Sequence, residues 1–105
     1  MIIYVDAVIP YIHPSQIYNV FENELMNQTE WNPYCEQILK VPDKQVYCTR
    51  IRMPMVSNRE FIDEKIQFVD DGKWYVIFRD AQDLVKHDFT TPKGYVRGSC
   101  VMNGY

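Results

Sequence analysis

The sequence predicts an α+β domain in which one helix packs among five or six antiparallel strands, and three observations carry that expectation. Ile17, Val20, Phe21 and Leu25 recur at helical spacing, which marks one amphipathic helix over residues 14–27. Beyond Trp31 the period shortens to that of half-buried strands. Turn residues then separate the strand-like runs, which are expected to pair antiparallel.

Each element has a local cause. Residues 2–9 are rich in β-branched side chains and end at Pro10, and they read as a strand. His13-Pro14-Ser15 places proline where a first helical turn tolerates it. Asn27-Gln28-Thr29 is expected to end the helix, with Glu30-Trp31-Asn32-Pro33 as a turn. Strands follow at 35–41, 45–52, 60–69, 73–80 and 94–102, with turns at 42–44, 53–59 and 70–72.

Asp70-Asp71-Gly72, read as a three-residue loop closing on a left-handed glycine, sets Val69 opposite Lys73 and Phe68 opposite Trp74. One face of the hairpin then carries Ile62, Ile66, Phe68, Trp74, Val76 and Phe78. The other, wetter face carries Asp63 opposite Arg79, with Lys65, Gln67 and Tyr75. Asn103-Gly104 is a strong two-residue hairpin signal followed only by Tyr105, and it predicts a longer domain that is cut here.

Composition narrows the function. A chain of 105 residues with 47% hydrophobic residues is expected to be one globular domain. Its net charge of −3 and scattered basic residues argue against nucleic acid. Cys35, Cys48 and Cys100 fit neither a disulfide framework nor a zinc site, so a reducing cytoplasm is expected, with no metal or cofactor. The N-terminus lacks the basic region of a signal peptide, and no apolar run is long enough to span a membrane.

Nothing in the sequence demands catalysis. His87-Asp88 reads as a polar loop, because adjacent residues do not orient each other as a catalytic triad requires. No carboxylate pair has acid–base spacing, and the glycines are too dispersed to cradle phosphate. The aromatic set Trp31, Tyr47, Phe61, Trp74 and Phe78 suits either a plain core or the wall of a lipid pocket.

Read in order, Glu30-Trp31-Asn32-Pro33, Pro54-Met55-Val56-Ser57-Asn58-Arg59-Glu60-Phe61, Tyr75-Val76-Ile77-Phe78 and Gly94-Tyr95-Val96-Arg97 resemble the START lipid-transfer domain, nearest its phosphatidylcholine-transfer branch. The resemblance implies a helix-grip fold, with an apolar tunnel between a curved sheet and a C-terminal helix that would lie beyond Tyr105. It implies noncovalent binding of a phospholipid or sterol-like ligand and transient contact with a membrane surface. The expected wall residues are Trp74, Val76 and Phe78, with Tyr47, Thr49 and Lys65 as polar contacts.

This chain has Asn32 and Glu60 where the family has aspartates, and Lys65 where it keeps a cavity arginine. The register argument sends Lys65 to the wetter face, whereas the family position turns it inward; the wetter face is expected, because no acid near Thr49 offsets a buried ammonium. Two rivals stand beside lipid transfer: a helix-grip enzyme of the cyclase or hydratase type with a cavity acid, and a regulatory scaffold without ligand. An uncovered apolar face or sheet edge would favour a homodimer.

Overall fold

The computed structural model of the chain describes residues 4–84, 89–99 and 102–104. An irregular helical run crosses one face of a mixed six-stranded sheet, an α+β architecture. The run comprises α1 (Pro14–Asn19), a π-helical stretch (Val20–Glu24), a 3₁₀ turn (Leu25–Asn27) and α2 (Gln28–Trp31). His13 caps α1: its Nδ1 accepts from the Ser15 backbone N–H at 3.1 Å, and the Gln16 side chain accepts from the His13 N–H at 2.9 Å.

The helix therefore runs four residues past its expected end, and Trp31 belongs to its last turn. Its winding is irregular where the sheet reaches up to it. Gln67 Nε2 donates to the Tyr18 carbonyl at 2.9 Å and Lys65 Nζ to the Phe21 carbonyl at 2.7 Å. Side-chain donors inserted at helix carbonyls are a recognised cause of such distortion.

The strands are β1 (Cys35–Lys40), β2 (Val46–Ile51), β3 (Asn58–Asp70), β4 (Lys73–Asp80), β5 (Tyr95–Arg97) and β6 (Met102–Gly104). Their order is β1-β2-β3-β4-β6, antiparallel throughout, with β5 added parallel to the first residues of β3. The turn at 42–44 forms as expected, and the one expected at 53–59 ends at Ser57, because Asn58 and Arg59 already belong to β3. Asp43 and Met55 take left-handed backbone angles in them, and Asn58 Oδ1 accepts from the Met53 N–H at 3.0 Å, which fixes where β3 starts.

Three expectations fail. Residues 4–9 form no strand: Tyr4, Val5 and Val8 are exposed and join none of the sheet's strands, so β propensity alone does not decide their structure. Residues 94–102 are not one strand. Beyond β5, Gly98 donates its N–H to the Glu60 carbonyl at 2.8 Å, and Asn103 and Gly104 pair with Phe78 and Ile77 of β4 as ladder residues instead of making a turn. A Cβ on Gly98 would lie 2.6 Å from the Phe61 ring, so only glycine permits this approach.

The third failure matters most for function. Asp71 and Gly72 both have positive φ and make a two-residue turn, pairing Asp70 with Lys73, Val69 with Trp74 and Phe68 with Tyr75. The register is one residue away from the expected one, which moves one strand's side chains to the opposite face. Ile62, Ile66 and Phe68 thus lie opposite the face that carries Trp74, Val76 and Phe78, and Phe68 stacks on Tyr75 with ring centroids 4.8 Å apart. Arg79 pairs with Glu64 rather than Asp63.

The sheet face away from the helix carries one core cluster, Val41, Val46, Cys48, Ile62 and Ala81, with Leu39 and Phe89 packed on it. The same face buries Glu60 completely between two arginines. Arg50 Nε donates to Glu60 Oε2 at 2.7 Å, and Arg97 Nε and Thr91 Oγ1 donate to Oε1 at 2.7 and 2.9 Å. Burial alone would raise the Glu60 pKa, but bonds from Arg50, Thr91 and Arg97 hold it below the usual carboxylate value. The network ties residues 90–97 to the sheet.

Candidate functional site

The helix-facing side of the sheet carries, in register, Tyr47 and Thr49 from β2, Phe61, Asp63, Lys65 and Gln67 from β3, and Trp74, Val76 and Phe78 from β4. All six residues expected from the sequence, Tyr47, Thr49, Lys65, Trp74, Val76 and Phe78, therefore share one face. They do not share one cavity.

The central cavity, about 490 Å³, lies between the helical run and the sheet. Phe21, Leu25, Gln28 and Trp31 roof it, and Tyr47, Thr49, Ile51, Phe61, Asp63 and Phe78 form its floor. Leu25 and Tyr47 are buried with Cys35 and Ile38 at its edge, so one wall is a packed core. Trp31, half exposed at the rim, is held by an Nε1–H bond to the Glu24 carbonyl at 3.1 Å.

Trp74 and Val76 line a second groove of about 400 Å³, bounded by Ala7, Ile9, Ile12, Ile17 and Phe21. There the Trp74 indole meets Tyr18 and His13 edge-on, at 5.1 and 6.0 Å between centroids. Lys65 lies in a third depression with Tyr18, Glu22, Lys40, Gln45, Tyr47 and Gln67.

Lys65 is thus inward and 5% exposed, not on the wetter face. The two-residue turn explains the error, and the Phe21 carbonyl with the Tyr47 ring, 5.3 Å from Nζ, replaces the acid that the sequence lacks. Burial pushes the Lys65 pKa down. Burial likewise raises the Tyr47 phenol, whose hydroxyl donates to Gln45 at 2.9 Å.

Asp63 is the residue that sequence reasoning placed on the wrong side. It stands opposite Tyr47 on β2 and Asp80 on β4, on the floor of the central cavity. No ion pair among the described residues includes it, and burial, followed by the Asp80 charge, raises its carboxyl from 3.8 to about 6. The signal that could have found it is the Asp71-Gly72 dipeptide, the preferred sequence of a two-residue hairpin turn.

Cysteine chemistry has no support at this site. Cys48 is fully buried, with its thiol pushed to about 12 by burial and the nearby Glu60 charge, far from the range of a nucleophile. His87, Asp88 and Cys100 lie outside the described residues. Among those described, no group of His, Cys, Asp and Glu could hold a metal ion, and no helix is long and apolar enough to cross a membrane. No family model, curated protein or solved structure matches the chain.

Proposed function

We propose that the chain binds an apolar small molecule noncovalently, as a lipid-binding domain of the START-like, helix-grip kind. The observation that carries the reading is the central cavity, apolar and aromatic on most sides, with Thr49 and Asp63 as isolated polar groups on its floor. Its volume of about 490 Å³ falls within the range of small-molecule sites and suits one aliphatic chain better than two. Each buried carbon would contribute through desolvation, at roughly 25 cal/mol per Å² of apolar surface removed from water. Transient contact with a membrane, the source of such a ligand, belongs to the same reading.

Asp63 favours a second reading, a helix-grip enzyme of the cyclase or hydratase type, since a carboxyl raised to about 6 in a cavity is suited to proton transfer. The binding reading is tested by titrating dodecanol into the wild-type chain and Thr49→Trp by calorimetry. Saturable binding by the wild type, lost in a folded Thr49→Trp whose indole fills the floor, is expected. Equal binding by both proteins would place the ligand elsewhere and refute the assignment.

A further inference from the structure

We infer that the central cavity selects ligands carrying a protonated amine on an aliphatic body, with Asp63 accepting the ammonium N–H. The inference rests on the proposed binding function and names its ligand class. Three features of the cavity lead to it.

The first is the carboxylate itself. Two other acids of the sheet have basic partners: fully buried Glu60 has Arg50 and Arg97, and part-buried Glu64 has Arg79, while Asp80 beside Asp63 accepts from the Gln82 amide. Asp63 lines the cavity with no such partner among the described residues. A half-buried carboxylate without an internal cation is costly unless a ligand supplies one.

The second feature is the ring of aromatics. Trp31, Tyr47, Phe61 and Phe78 line the same cavity, and aromatic faces attract a cation as they exclude water. The third is the absence of a competing base. Among the described residues, the charged or titratable groups facing Asp63 are Tyr47 from β2 and Asp80 from β4, and the helical run with its C-cap lines the cavity with Phe21, Leu25, Gln28, Trp31 and Asn32, none of them charged. Lys65, two residues along β3, turns its ammonium to the Phe21 carbonyl and the Tyr47 ring. An anionic ligand would meet an acid and no free cation; a neutral alcohol would leave the charge unanswered.

The test compares dodecylamine with dodecanol by calorimetry, for the wild type and Asp63→Asn, at about pH 7.5 and about pH 5; the amine, like a lysine side chain, stays protonated at both. The wild type at the higher pH should bind the amine about tenfold or more tightly than the alcohol, the margin of a charge-assisted hydrogen bond. That preference should shrink at the lower pH, where Asp63 takes up a proton, and should be absent from Asp63→Asn, which still binds dodecanol. Equal binding of both probes by the wild type would overturn the inference while leaving the cavity reading intact. A preference that survives in Asp63→Asn would also overturn it, and failure of both probes to bind would overturn inference and cavity reading together.

Discussion

Replacing Asp63 with asparagine keeps the shape of the side chain and removes its charge, so the variant isolates what that charge does to the fold without ligand. Burial, followed by the Asp80 charge, raises the folded carboxyl from 3.8 to about 6. The sign follows from proton linkage: between these values the native state holds a proton that the unfolded chain has released, so stability falls as pH rises through this window. The cost is complete above the folded value and gone below the unfolded one. Two pH units correspond to about 3 kcal/mol, and solvent screening of this part-exposed group reduces the expected effect to roughly 1–2 kcal/mol. Urea denaturation of both proteins between about pH 4 and pH 7.5 measures the difference, in which titrations common to both cancel. Asp63→Asn should be the more stable protein at the upper end by that amount and should lose its advantage at the lower end. A difference independent of pH, or a variant less stable at neutral pH, would refute the reasoning.

Other perturbations probe the surroundings of the site. Glu60→Ala strands two arginines in the sheet's far face and should cost about 3–5 kcal/mol in urea denaturation; a loss under about 1 kcal/mol would mean that water reaches the network. Lys65, inward beneath Phe21, should react with acetic anhydride far more slowly than exposed Lys73 when peptides are quantified by mass spectrometry, and equal rates would return it to the solvent face. Gly98→Ala forces a methyl against the Phe61 ring and should cost about 1–3 kcal/mol, with a smaller loss if the ring swings aside.

Much of the fold is legible in the sequence because its local signals agree with one another. The strands at 73–80 and 45–52, the Pro42-Asp43 turn and the helix start at Pro14 follow from period and turn chemistry alone. What is lost depends on partners distant in the chain. Residues 4–9 have strand composition and join no strand of the sheet, and residues 94–104 divide between two strands because β3 and β4 each leave an edge free at different points. The site was half legible. Tyr47, Thr49 and Phe78, three of the six residues singled out from the sequence, line the central cavity, whereas Asp63 and Lys65 were misplaced by a single register step at Asp71-Gly72. The roof residues Phe21, Leu25 and Trp31 carried no pocket signal, because their spacing is that of any amphipathic helix.

Native mass spectrometry of the chain purified from cells without detergent tests the central claim most directly, with Thr49→Trp prepared in parallel. The account predicts a wild-type population carrying one noncovalent adduct of lipid mass, released by mild collisional activation and absent from Thr49→Trp. Bare protein in both preparations, or the same adduct on both, would contradict it.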